Sequence, residues 1–281
     1  MKTKTQFNAF DIETTAPLEK IGIIATQNTE GQPHITFINS LMAIDQTRMA
    51  LGQFVRGKSK YFIRKNPKAS FFILSAHTRK TWQGKLVWTD KKDQGSELEA
   101  YKEKPLQRYN SYFPIHRVHY FDLVETTPAM GLPVLKIAGS AMVTRLLGSA
   151  AQKKNKDPIL NPYGTTLFNS LLTMKFLSFM GSDGFPCLVP FVPCMSIDSR
   201  QLVFPAKALG NHSMGINTPI AVFCLKNTME SVLVRGKFLG TKRVLGKTMG
   251  ILDLDWVYNS MPPNAGQIYP EKPLKPVTSF E

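Results

Sequence analysis

The chain has 281 residues, 43% of them hydrophobic, which suits one large or two medium globular domains and excludes a disordered chain. Its 35 Lys and Arg against 20 Asp and Glu give a net charge of +15, so an anionic partner or cofactor comes into view; no recognition-helix, RNP or zinc-finger pattern accompanies the charge, and nucleic acid is disfavoured. No charge-free apolar run approaches the roughly 18 residues a spanning helix needs, and Cys187, Cys194 and Cys224 form no C-x-x-C, an odd and sparse set that predicts free thiols in a reducing cytoplasm rather than disulfides or a zinc site.

From the N-terminus, Met1 to Gln6 lead into Phe7 and Asp11 with no apolar signal core, so export is not expected. A short helix is predicted at Ala16 to Lys20. Ile21 to Thr26 is a β-branched run and reads as a buried strand; Asn28 to Gly31 is a turn, Pro33 to Ala43 a second strand, and Arg48 to Gln53 a third. A short basic helix follows and must stop before Pro67, because the residue ahead of a proline avoids the α region. Ala69 to Leu74 is a fourth strand. Turns every eight to twelve residues with one crossing helix give the pattern of a small barrel.

Residues 75–133 read differently. A strand is predicted at Lys85 to Thr89, and Ser96-Glu-Leu-Glu99 reads as a capping box opening a helix that breaks near Pro105. The aromatic run 109–121 is predicted to pack over the groove as a lid, with Trp88, Tyr109 and Tyr112 as stacking walls. Leu135 to Arg145 has strand character. Asn161 and Pro162 cap a helix running to about Thr173, with Leu167, Phe168, Leu171 and Leu172 at helical spacing.

The second half repeats the first. Gly31, Pro33 and Asp45 match Gly184, Pro186 and Asp198 at a shift of 153 residues, and Pro67 and Ala69 match Pro219 and Ala221 at 152. Val134 to Arg145 also resembles Val232 to Arg243. These collinear blocks predict two copies of one barrel. Copy one occupies 1–150 with a helical and aromatic insertion at 75–133, copy two occupies 151–261, and a proline-rich extended tail covers 262–281.

The stretch around the basic helix carries the chemistry. Arg56, Lys58 and Lys60 surround Gly57 and the Ser59 hydroxyl at the mouth of that helix, and helix-end N–H groups with paired cations suit a phosphate dianion. It is not a P-loop, and a solvated basic loop is the plain alternative.

In order and spacing, these features resemble the FMN-binding split β-barrel family related to pyridoxamine 5′-phosphate oxidase: a strand, Gly31-Gln-Pro33, a strand ending at Asn39-Ser40, the Arg56-to-Ser59 loop, and Asn66-Pro67 entering the next strand. The resemblance covers residues 21–145, and 174–245 in degraded form. It implies a mainly β fold of two tandem split barrels forming an intramolecular pseudo-dimer, with FMN in the groove between them. The FMN phosphate would fall to Arg56, Lys58 and Ser59, with Lys60 or Arg64 in support. The isoalloxazine edge would fall to Phe37, Ile38, Asn39 and Ser40 and to Leu51, Gly52 and Gln53. Copy two places Pro190 and Pro193 where copy one has Phe37 and Ser40, and the region of Ala208 to Met214 lacks the cations, so one FMN per chain is expected.

The expected activity is FMN-dependent oxidation or reduction of a small substrate or exchange with an electron donor, with no catalytic side chain assigned. The alternatives are a non-catalytic flavin- or haem-binding barrel and a basic nucleic-acid-binding barrel. Membrane partners are not expected; further pairing of chains stays open. His116 and His119 lack a third ligand, so no metal site is assigned. Trp82 and Trp256 read as core, Cys187 and Cys194 as structural thiols on a strand.

Overall fold

A computed structural model of the protein describes residues 2–54, 57–105, 114–132, 134–151, 157–260 and 266–271, with only the backbone for 134–138 and 149–151. Arg56, Tyr109, Tyr112 and most of the 262–281 tail lie outside the described residues. The first half forms α1 (Ala9–Thr15), β1 (Lys20–Gln27), β2 (Pro33–Phe37), β3 (Met42–Ala43), β4 (Arg48–Gln53), α2 (Lys58–Lys65), β5 (Lys68–Ser75), β6 (Lys80–Lys92), α3 (Ser96–Lys102), β7 (Arg117–Thr126) and β8 (Met130–Gly131). There follow α4 (Val134–Ala151), α5 (Pro162–Asn169), β9 (Thr173–Met180), β10 (Pro186–Val189), β11 (Met195–Ser196), β12 (Gln201–Pro205), a 3-10 turn (Ala206–Leu209), β13 (Pro219–Lys226), β14 (Ser231–Val244), β15 (Lys247–Asn259) and β16 (Gly266–Tyr269).

The protein is mainly β, two tandem split barrels built on antiparallel sheets. The first sheet runs β2-β1-β5-β6-β7-β4-β3 with β8 on β6; the second runs β10-β9-β13-β14-β15-β12-β11 with β16 on β15. Strand for strand the two orders are the same. The local devices repeat as well. Asn8 caps α1 by accepting from Asp11 N at 2.9 Å, and Asn161 caps α5 by accepting from Gly164 N at 2.7 Å, each satisfying a helix-end donor. The β6–β7 pairing carries two register shifts, and so does β14–β15. Gly84 and Gly236 stand in these ladders, where a Cβ would come within 1.9 Å of Glu125 O and Asp253 O respectively. Only glycine fits so close to a neighbouring backbone.

Several sequence expectations give way here. The helix expected at 16–20 forms earlier, at Ala9–Thr15, where Asn8 and Asp11 make a capping box. Leu135 to Arg145 is not a strand but part of helix α4. The segment is apolar with few charges, so neither a two-residue nor a 3.6-residue period stands out, and its β-branched residues mislead. The similarity of 134–145 to 232–243 is therefore accidental: β6 is the counterpart of β14, by strand order and by the bulges. It follows that 75–133 is not one insertion. It contains β6 and β7, two strands of the first sheet, and only the connection between them, residues 93–116, replaces the tight turn that joins β14 to β15. Helix α3 forms where the capping box was read, but Gly95 is its N-cap without a side-chain bond, and Ser96 Oγ donates to Glu97 Oε2 instead. Helix α5 ends at Asn169, leaving Leu171 and Leu172 exposed.

The chain divides into two compact units, Met1–Lys136 with Phe176–Pro190, and Ile137–Lys175 with Phe191–Glu281. In the first unit Trp82, Phe71, Phe121, Leu51, Ile24 and their neighbours fill one face of the sheet, and Trp82 Nε1 donates to Asp11 Oδ1 at 2.8 Å. Leu98 and Tyr101 of α3 pack with Ala50, Ile115, Val118 and Tyr120 in a second cluster. Residues 176–190 are fastened within this unit: Ser70 Oγ donates to Pro186 O at 2.5 Å, Gln83 Nε2 to Leu188 O at 2.7 Å and Lys68 Nζ to Asp183 O at 2.7 Å. In the second unit Leu147 of α4 packs with Val203, Met249, Ile251 and Ile197.

Candidate functional site

The candidate site grows from the end of β4 and the start of α2. Strand β4 lies between β3 and β7, so its last residue, Gln53, is held in register opposite Arg117, and Leu51 opposite His119. Helix α2 begins at Lys58 after Gly57, an N-cap with no side-chain hydrogen bond and no acidic residue in the turn that follows. Its leading N–H groups and the positive end of its dipole are left without an anionic partner from the chain's own first turn.

Two further features stand at this helix mouth. Ser59 is buried, and among the described residues its Oγ has no hydrogen-bond partner. The Lys60 ammonium folds back toward the helix start, since a Cβ at Gly57 would lie 3.4 Å from Lys60 Nζ. Loss of solvent pushes the Lys60 pKa down to about 8, and among the described residues no carboxylate forms an ion pair with it. A desolvated cation, a buried unpaired hydroxyl and a positive helix end all ask for the same thing, an anion with several acceptor oxygens. Lys58 is partly buried at the first position of the helix.

The predicted ring-binding residues divide into those that hold the fold and those left with unused polar atoms. Ile38 N donates to Gly22 O at 2.7 Å. Ser40 Oγ donates to Gly52 O at 2.7 Å, and Ser40 O accepts from Tyr101 Oη at 2.6 Å. Tyr101 is fully buried, and burial holds its phenol well above the ordinary value. Leu51 lies in the core, and Gly52 lies against Ile115, whose Cδ1 would be 2.7 Å from an added Cβ. Phe37 ends β2 opposite Ile23 and is partly exposed. Asn39 Oδ1, by contrast, is buried without a partner among the described residues.

Gln53 sits at the centre of a hydrogen-bonded row that the sequence did not show. Trp88 Nε1 donates to His119 Nδ1 at 3.2 Å; His119 Nε2 lies 2.8 Å from Gln53 Oε1; Gln53 Nε2 lies 3.5 Å from His116 Nε2. His119 is buried, and its pKa falls to about 4, first through loss of solvent and then through Lys60, Arg117, Arg64 and Lys91. From Arg117 onward the aromatic run is strand β7 rather than a lid, with Val118 and Tyr120 on one face and His119 and Phe121 on the other, while its residues 109–113 lie outside the described residues. Trp88 is partly buried and donates its Nε1–H to His119. The missed signal was that alternation. Among the described residues no group of three His, Cys, Asp or Glu could hold a metal ion, and none of the helices is long and apolar enough to cross a membrane. A separate cavity of about 300 Å³, lined by Glu13, Ala16, Pro17, Leu18, Glu19, Lys104 and Pro105, includes none of these residues.

Cys187 lies on β10 and is partly exposed; Cys194 precedes β11 and is buried, as is Cys224. Trp82 is core as expected, while partly buried Trp256 stacks on Tyr258 with the Arg235 guanidinium 4.1 Å from its ring centre.

No protein-family model and no curated protein matches the chain. Among solved structures it is similar to a candidate pyridoxamine 5′-phosphate oxidase from Lactobacillus delbrueckii, at 12% identity and TM-score 0.35, covering 46% of this chain and 100% of that one. An FMN-binding protein from Syntrophomonas wolfei is similar at 14% identity and TM-score 0.34, over 43% of this chain and 85% of that one. MrkH of K. pneumonia, in its apo state, is similar over 90% of this chain and 84% of its own, at 10% identity and TM-score 0.26.

Proposed function

We propose that the chain binds FMN on its first repeat and acts as a flavin-dependent oxidoreductase on a small substrate. One observation carries this reading: the buried Ser59 hydroxyl, without a partner among the described residues, at an uncapped helix start beside the desolvated Lys60. That arrangement is costly in an empty protein and is relieved by a phosphate ester.

The residues present fit such a ligand. Lys58, Ser59 and Lys60 would hold the phosphate, with Arg56 in support. Asn39 Oδ1 offers a buried acceptor to a ligand N–H or hydroxyl, and Gln53 offers its amide. When bound, FMN supplies hydride or electron transfer through its ring system; this chain's residues bind it, orient it and keep positive charge nearby, which favours an anionic reduced ring. The second repeat has a 3-10 turn, Ala206–Leu209, where the first has α2, and it lacks the cation cluster, so the expected load is one FMN per chain. Haem held by His119 is disfavoured, because both its ring nitrogens already have partners.

The absorption spectrum of the purified protein tests the reading. Flavin bands that disappear in Lys58→Ala with the circular dichroism unchanged support it. A colourless protein that gains no bound flavin on incubation with FMN overturns it.

A further inference from the structure

The row Trp88–His119–Gln53 fixes more than a position. An indole N–H can only donate, so the His119 nitrogen that faces it must carry a lone pair. In a neutral ring the proton then sits on the other nitrogen, Nε2, which faces Gln53. Nε2–H donates, so Gln53 must turn its carbonyl oxygen inward, at 2.8 Å. A flipped amide would set N–H against N–H. Protonating His119 would break the row at Trp88, and the groups whose charge reaches the ring, Lys60 and Arg64 of α2, Arg117 of β7 and Lys91 of β6, all oppose it. Among the described residues the amide NH₂ of Gln53, itself a buried side chain, keeps one long contact, to the exposed His116.

We infer that Gln53 is a specificity-determining residue locked as a hydrogen-bond donor by Trp88 and His119, so that the site selects a ligand edge presenting an acceptor, a carbonyl or an unprotonated ring nitrogen, over one presenting N–H. The identity of that ligand rests on the flavin reading; the lock itself does not. Trp88 and His119 are positioning residues, since they act through Gln53. The sequence gives little hint of this, because residues 53, 88 and 119 meet only through the β4–β7 and β6–β7 pairings.

Nitrogen-15 long-range NMR of the full chain reads the His119 tautomer directly. The expected result is a neutral ring with the proton on Nε2 from pH 5 to pH 9, and a tautomer mixture in Trp88→Phe. Titration with FMN, followed by flavin fluorescence, then reads the consequence: Gln53→Glu keeps the acceptor toward His119 but replaces the remaining donor with an anionic acceptor, and weakens FMN about tenfold or more. Trp88→Phe weakens it by a smaller factor. A proton on Nδ1, a doubly protonated ring at pH 7, or Gln53→Glu binding FMN as tightly as the parent overturns the inference. A protein that shows the Nε2 tautomer and the Trp88→Phe mixture yet binds no FMN leaves the donor lock supported and sinks the flavin reading alone.

Discussion

Lys60→Met separates the needs of the fold from those of the ligand. Methionine keeps most of the side chain's length and removes the ammonium. In the folded chain the Lys60 pKa lies near 8 against 10.5 in the unfolded one. The folded state therefore binds fewer protons between those values, and stability rises with pH through that window; below about 8 the penalty is present in full. A shift of that size corresponds to about 3 kcal/mol as an upper bound. Because Lys60 keeps part of its surface in solvent, screening reduces this to on the order of 1–2 kcal/mol. The ligand-free variant should accordingly be more stable than the parent by that amount in urea unfolding at pH 7. The gain should shrink as the pH rises from about 8, where the folded parent sheds the proton, and should be gone above about 10.5. FMN affinity should move the other way, falling by roughly 5- to 30-fold for one lost charge-assisted hydrogen bond. A variant no more stable than the parent at pH 7, with unchanged FMN affinity, would refute the reasoning.

Other outcomes follow from the same physics. Ser59→Ala should leave the apo protein as stable or slightly more so, since it removes an unpaired buried hydroxyl, while weakening FMN several-fold in a fluorescence titration. Lys20 is buried, donating to Thr15 O and to Pro17 O, and burial lowers its pKa to about 7; unfolding free energy should climb between pH 7 and pH 9 by up to about 1.4 kcal/mol per pH unit, and Lys20→Met should flatten that climb. Burial pushes Cys194 up to about 12 and Cys224 to about 11, so a thiol reagent at pH 8 should modify only Cys187 in the folded chain, and slowly, and all three in urea. Gly84→Ala and Gly236→Ala should each lower the melting temperature sharply, because the added methyl meets a backbone carbonyl that cannot move without breaking the ladder.

What the residues revealed in advance was the part governed by short-range pattern. The strand around Ile21 to Thr26, the end of β4, the basic helix before Pro67 and the Asn161–Pro162 helix start all depend on neighbours a few positions apart, and the 153-residue shift needed only those landmarks. The errors came where pattern is silent. A helix as evenly apolar as Val134–Ala151 shows no stripe, and β6 and β7, separated by 93–116, looked like an insertion because their partnership is visible only in the sheet. The candidate site divides in the same way. Lys58, Ser59 and Lys60 were legible as a basic helix mouth. That Ser59 would be buried and unpaired was not legible, nor was the bonding of Gln53 to His119 and Trp88, since these depend on strand pairing and on a bulge between Trp88 and Asp90.

The most direct test compares FMN with riboflavin, which carries the same ring and ribityl chain without the phosphate, by equilibrium titration of the parent and of Lys58→Ala, Ser59→Ala and Lys60→Met. The account predicts that the parent binds FMN at least tenfold more tightly than riboflavin, and that each substitution narrows this ratio by weakening FMN while leaving riboflavin nearly unchanged. Equal binding of the two ligands by the parent, or a ratio untouched by all three substitutions, would contradict it.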